Sequence, residues 1–581
     1  MIRRLPAVLL LAASLDAQTA LFPLSEVKAG LRGVGRSVFS GDRIEEFQVE
    51  ILGVLENAGP KQSIILGKLS GGALESTGVL QGMSGSPVYI GGRLVGAVAL
   101  AFSFSKEPIA GIRPIEEMLR VQTATSIRAG LPLPGQSPAE LFPPREEVLS
   151  GPSRLVEIAT PVSLGGFTQS ALDRFAPELR KLGLEPRQGI LGGGRPGRSF
   201  GDPSSMRPGS MISVQLLTGD MSVGADGTLT HIDGSNVYAF GHRFVSAGAT
   251  ELPFARAEVL TVLPNLATSF KISAAREWMG TITSDYSTGV AGALGRRANM
   301  VPASIAVTGA GPRHDYRLEM VHDRLLSPFL LQMALFSAVD ATGRAAGAAT
   351  LRLRGAVEFH DGTPPLRLNN IYAGDANVPL LASLGAAIPL SYCMQSGLAG
   401  LRLKNVALEI ERQDAKKQWQ IDQVWAARNR VRPGETVELA VVLVSDDGAE
   451  TTRRLSYTVA AGARPGPLYF TVSDGMTANM ADYQQIVGAT PRSALQMVSM
   501  LNRLRENSRA YVRVWRAEPS FPVQGAELPD PPASVSLILA RAQPSLTSAY
   551  QTRNAKLAEM EIDGGAAVVS GSRTIQVEVR E

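Results

Sequence analysis

The chain has 581 residues, 44% hydrophobic and 19% charged, which excludes an intrinsically disordered protein and suits about three to five folded domains. A formal charge of +4 over that length, with no Lys/Arg-rich run, gives no basis for nucleic-acid binding. The single cysteine, Cys393, excludes a disulfide framework, a cysteine-rich zinc site and a Cys–Cys redox pair, and reads as a buried structural residue.

In chain order, residues 1–20 combine Arg3 and Arg4, an apolar run from Leu5 to Leu15 and small residues at Ala17 and Ala20. Such a run spans about 16 Å as a helix, roughly half a bilayer core, and predicts a removable signal peptide. No other stretch reads as a membrane span, so the mature protein is expected to be soluble and exported, to the periplasm or beyond the cell. The 59 glycines, the 37 prolines and the shortage of amphipathic helices predict a mainly β protein.

Residues 21–125 read as short strands. "FQVEILGVLE" from Phe47 alternates, and "SPVYIGGRLVGAVALAF" from Ser86 reads as a hairpin turning at Gly91-Gly92. Residues 126–210 read as a linker, proline-rich from Leu131 to Pro144. It holds one helix capped by Thr168, with Ala171, Leu172, Phe175, Leu179 and Leu182 on one face and Gly183 as its stop. The Gly-rich run Gly189 to Ser210 lacks the Gly-Lys-Ser/Thr ending of a phosphate loop and reads as a flexible connector.

Residues 211–310 form a second β region, with turns signalled by "ADGT" at Ala225 and "IDGS" at Ile232. A β-rich connection over 311–400 follows. Strands broken by "RPGE" at Arg432 and "SDDG" at Ser445 then suggest an immunoglobulin-like β-sandwich over 401–475. Residues 476–581 read as a small α+β region, its helix starting at Thr490-Pro491 with Leu495, Val498, Leu501 and Leu504 on one face.

The motif "GMSGSP", Gly82 to Pro87, carries the chemistry. A nucleophilic serine needs a tight turn whose N–H groups face the developing oxyanion, and the glycines flanking Ser84 permit one. By analogy with trypsin-like enzymes, the N–H groups of Gly82 and Ser84 would form the oxyanion hole. The same residues also suit a plain Gly/Ser turn into a hairpin.

A base is needed, and none of the five histidines precedes His231. His242, in "VYAFGHRF", follows a short strand and a glycine and is the best candidate, although a structural histidine reads equally well there. His231 lies mid-strand, while His314, His322 and His360 read as exposed.

These residues resemble the SpoIVB peptidase family of sporulation serine endopeptidases. The segment Thr77 to Leu119 is similar to that family's serine block, Gly227 to His242 to its histidine block, and Gly280 to Gly295 to a glycine-rich stretch beyond it. The resemblance implies two chymotrypsin-like β-barrel halves, with Ser84 as nucleophile and His242 as base.

Two departures stand out. The family's histidine block precedes its serine block, whereas here Ser84 comes first, as if the barrels were permuted; a triad is defined in space rather than by order. The family's aspartate falls near Leu69 or Ser70, neither a carboxylate, which leaves Asp285, Asp220 or Glu75 as substitutes, with Asp285 preferred and a turn aspartate as its plainer reading.

The expected function is a serine endopeptidase acting on a protein or peptide substrate without metal or organic cofactor, selective or self-processing. The alternative is a catalytically weak, protease-like envelope protein that binds peptide or cell-surface ligands. Oligomeric state is left open.

Overall fold

The computed structural model describes residues 20–102, 105–120, 154–189, 199–343, 347–482, 491, 493–523, 526–541 and 553–581. The signal-peptide reading and the proline-rich linker lie outside these residues, Ala20 excepted. The protein is mainly β, with 52% strand and 17% helix in several sheets.

The first unit comprises β1 (Arg32–Ser40), β2 (Arg43–Gly59), β3 (Gln62–Ser70), β4 (Pro87–Ile90), β5 (Arg93–Phe102) and β6 (Ile109–Pro114). Pairing runs β4-β1-β2-β3-β6-β5, and β5 pairs back to β4, closing a ring. Closure removes the open edges that invite aggregation. The alternation in "FQVEI" puts Phe47, Val49 and Ile51 inside with Leu69, Val88 and Val98, and turns Gln48 and Glu50 outward. Gly91 and Gly92, at φ 56° and 77°, make the β4–β5 turn as the sequence predicts.

A short strand β7 (Leu155–Glu157) extends β5, and β8 (Thr160–Gly165), the helix Gln169–Lys181 and β9 (Leu184–Gln188) follow. This helix forms as expected: the Thr168 hydroxyl accepts from Ala171 N at 3.2 Å, and Ala171, Leu172, Phe175 and Leu179 are buried. The described end of the connector, from Ser199, docks on the second ring, where Gly201 N donates to Trp278 O at 2.9 Å.

The second ring comprises β10 (Met211–Gly219), β11 (Ser222–Asp233), β12 (Asn236–Ala239), β13 (Gly248–Leu263), β14 (Phe270–Tyr286) and β15 (Gly289–Leu294). Pairing runs β10-β13-β14-β15-β12-β11 and closes β11 on β10. With strands numbered in chain order inside each ring, both close in the same cyclic order, 1-2-3-6-5-4. "IDGS" makes the β11–β12 hairpin. "ADGT" makes no turn, because Asp226 and Gly227 lie inside β11, Asp226 buried and Gly227 covered by the Phe240 ring, 2.4 Å from where a Cβ would sit.

The second sheet continues beyond the ring. Its further strands are β16 (Met300–Thr308), β17 (His314–Val321), β18 (Ala349–Phe359), β19 (Leu366–Gly374) and β20 (Leu403–Gln413), in spatial order β10-β17-β16-β20-β18-β19. Helices Leu326–Ala341 and Val378–Gln395 pack on each other and on this sheet. Residues 311–400 are therefore mixed α and β rather than β-rich.

Both helices are apolar on all sides, so the amphipathic period that would betray them is missing. The second corrects the expectation of no further long apolar stretch: by length and composition it could cross a membrane, and 61% of it is buried in the fold. It carries Cys393, whose thiol is pushed up to about 12 by burial.

The remaining chain builds two facing sheets. One holds Gln418–Ala426, Thr436–Ser445, Glu450–Thr458 and Val568–Ser570. The other holds Arg430–Val431, Gly466–Asp474, Arg509–Arg516, Ala555–Asp563 and Ser572–Val579. Ile421, Val441, Phe470, Val512 and Val577 share one core between them. This sandwich crosses the expected boundary at 475, and it excludes β20, which belongs to the neighbouring sheet. The helix expected in this region is Ala494–Leu501, capped by Ser493; Leu495 is exposed and Met497 takes the inward place, and a further helix, Ala533–Arg541, follows.

Candidate active site

Ser84 lies between strands three and four of the first ring, and His242 between strands three and four of the second. The serine turn is fixed from within by Gly85 N donating to Val98 O (2.7 Å) and Ser86 N to Met83 O (3.0 Å).

Strand β11 of the other ring grips the same turn. Thr228 N donates to Ser84 O at 2.9 Å, and the Thr228 and Thr230 hydroxyls donate to Gly82 O (3.0 Å) and Gly85 O (2.7 Å). At Gly85, with φ +93°, a Cβ would lie 2.0 Å from Thr228 O and 2.6 Å from Phe240 N, so only glycine fits the junction. The carbonyls of the turn are thus engaged, whereas the N–H groups of Gly82 and Ser84 make no hydrogen bond among the described residues. The Ser84 hydroxyl is wholly buried and has no partner there either.

The histidine turn is held in a strained conformation. Phe240, fully buried, has φ +66°, a left-handed geometry that costs a non-glycine residue about 1–3 kcal/mol. Gly241 N donates to Ala239 O at 2.8 Å, and Gly241 packs on Ala97 and Ala99 of β5. His242 is buried, its Nδ1 2.7 Å from Arg243 O. A carbonyl oxygen only accepts, so Nδ1 carries the proton and Nε2 of the neutral ring carries the lone pair.

The loop after His242 hangs on Asp285, fully buried near the end of β14. Its carboxylate accepts from Phe244 N (2.7 Å), Val245 N (2.8 Å) and Ala247 N (2.9 Å). Burial pushes its pKa up to about 6 against the pull of those three donors. From the first ring, Arg113 Nε donates to Gly241 O at 3.4 Å, while its Nη1 reaches Gln62 (3.0 Å) and Glu117 (3.4 Å).

The other candidates sit elsewhere. His231 is buried with its ring stacked on Tyr238; His314 is exposed, and His322 and His360 are half-buried rather than exposed. Asp220 is exposed and accepts from Arg317 N at 2.7 Å; Glu75 is exposed; Leu69 is core.

Sequence reasoning missed the braces: Thr228, Thr230, Arg113 and a buried polar stripe on β14. Ser269, just before β14, and Lys271 and Ser273 on it occupy alternate positions, a pattern that reads as a solvent face yet is buried.

Two closed rings thus meet where the serine turn of the first packs against β11 and Phe240 of the second, with Ser84 and His242 both buried there. Residues 16–119 match the family model of SpoIVB peptidase S55, which establishes the resemblance for the serine block and supports a serine peptidase. The histidine block lies outside the matched residues. No curated protein and no solved structure matches the chain.

Proposed function

We propose that the chain is an exported serine endopeptidase built on two chymotrypsin-like barrel halves in permuted order, with the sandwich as an immunoglobulin-like appendage. The carrying observation is the shared ring order with Ser84 and His242 at equivalent turns, joined where Gly85 packs on Phe240.

In the proposed reaction, His242 Nε2 takes the Ser84 hydroxyl proton as Ser84 Oγ attacks the peptide carbonyl. The N–H groups of Gly82 and Ser84 receive the oxyanion. Imidazolium then gives its proton to the leaving amine, and water repeats the sequence on the acyl-enzyme, restoring Ser84 and releasing the acid. The Arg243 carbonyl takes the place of a triad carboxylate at Nδ1, and Asp285 acts through the loop it anchors. Ser84 and His242 are both buried, so a peptide reaches them only after neighbouring chain moves aside. Such a closed resting state suits a selective or self-processing enzyme.

The second reading, a catalytically weak binding protein, is favoured by that same burial. Fluorophosphonate labelling decides: modification of Ser84 that is lost in His242→Ala supports the peptidase, and a chain inert under all conditions supports the binder. Ser84→Ala should lower turnover about 10⁶-fold with the fold intact; retained cleavage by the purified variant would sink the mechanism.

A further inference from the structure

Lys271 is a buried charged group for which the proposed reaction has no use. It is 2% exposed, on β14 of the second ring, yet it reaches into the first ring at the serine turn and at Ser37 on β1. Its backbone N donates to Gln81 O at 3.2 Å, and its alkyl stem lies beneath Gly82, with Cδ 3.3 Å from where a Cβ would project. Its Nζ donates to Ser37 Oγ at 2.8 Å, and Ser37 Oγ also accepts from Ser86 Oγ at 2.9 Å. Ser37 and Ser86 are wholly buried.

The surroundings offer little else. The Phe39 ring lies 5.5 Å away and Met211 Sδ 4.0 Å away. Asp226 on β11 is the carboxylate whose charge acts on Lys271, and it accepts from the Ser213 and Ser273 hydroxyls. Burial pulls the Lys271 amine down to about 7.

Burying such a group costs more than a packed apolar residue would, so packing alone gives it no reason to be there. Its contacts converge on the segment that presents the Gly82 and Ser84 N–H groups.

We propose that Lys271 is a positioning residue for the serine turn: through Ser37 and Ser86 on one side and its stem under Gly82 on the other, it fixes the two N–H groups that receive the oxyanion. This rests on the reading of Ser84 as nucleophile. A turn displaced by a fraction of an ångström leaves the hydroxyl in place but misaims the donors, and the loss falls on the transition state rather than on substrate binding.

The test uses the mature chain, a fluorophosphonate probe and p-nitrophenyl acetate. Lys271→Met keeps the stem and removes the donor, while Ser37→Ala cuts the relay. Each should slow Ser84 labelling and ester kcat about 10- to 100-fold with KM within about twofold. Because they break one chain of contacts, the double variant should be no slower than the slower single. Should Lys271→Met fold poorly, its combination with Asp226→Asn removes both charges together and is measured instead.

Wild-type rates in both singles, or a double loss equal to the product of the single losses, overturns the positioning role alone. Wild-type protein that never labels at Ser84 overturns the peptidase reading and this proposal with it. Labelling that moves to Ser86 overturns both as written, because the relay would then serve a different nucleophile.

Discussion

The serine turn and the histidine turn stand at the same station of two rings with the same strand order, but different groups hold them. The serine turn is stitched by hydroxyls and backbone: Thr228 and Thr230 occupy its carbonyls, and the Lys271–Ser37–Ser86 chain lies behind it. The histidine turn is held by full charges, with the Asp285 carboxylate gathering three N–H groups and the Arg113 guanidinium on the Gly241 carbonyl. In both, part of the brace comes from the opposite ring: Thr228, Thr230 and Lys271 reach the first ring from the second, and Arg113 reaches back. The comparison teaches that the site belongs to the junction, and that neither ring folded alone would have it.

The largest expected effect tests whether the two turns act as one unit. His242→Ala and Ser84→Ala should each remove about 10⁶-fold in turnover, and the double variant no more, as measured by single-turnover ester hydrolysis; multiplying losses would show the turns to be independent. Next is the junction itself. Gly85→Ala forces a Cβ against Thr228 O and should lower stability by about 3 kcal/mol, read as a shifted urea midpoint.

Arg113→Met removes the cross-ring brace of the histidine turn and should slow Ser84 labelling about tenfold while leaving the probe's access unchanged. Equal rates would mean that only the serine turn is braced from outside.

The buried amine supplies a pH test. Its folded pKa of about 7 lies below the ordinary 10.5, so between those values the unfolded chain holds a proton that the folded one has lost. Lys271 therefore makes stability rise with pH across that window, by at most about 1.4 kcal/mol per unit. Urea unfolding at pH 7 and pH 9 should show this gain in wild type and not in Lys271→Met. Smallest is Thr230→Val, which leaves Gly85 O without its hydroxyl donor and should cost about 1 kcal/mol.

Local signals carried well from sequence to structure where the chain itself enforces them. Gly91-Gly92 turns a hairpin because both residues take positive φ, and Thr168 and Gly183 bound a helix because a cap and a stop are chemical facts of single residues. What stayed hidden was set by partners far along the chain. Asp226-Gly227 looks like a turn and is a strand, because Phe240 needs the space over Gly227. Helices Leu326–Ala341 and Val378–Gln395 show no period, because the first is buried almost throughout and the second stays apolar even on its half-buried face. Lys271 looks like a surface charge on an alternating strand, and only the packing of the first ring against the second covers it. Of the site, Ser84, Gly82, His242 and Asp285 were visible as residues, and their braces were not.

Strand β20 runs parallel to β16 from Ala303↔Val406 to Thr308↔Glu411 and antiparallel to β18. Anyone excising a minimal fragment near residue 310 would strip β16 of that neighbour. Its N–H and C=O groups would be left as an open template for other chains, and Val301, Ile305 and Val307 would lose their cover, which invites precipitation before any assay. A cut between Gln413 and Gln418 keeps the extended sheet whole, but it removes Met497, Val498 and Leu501, which pack into the same core.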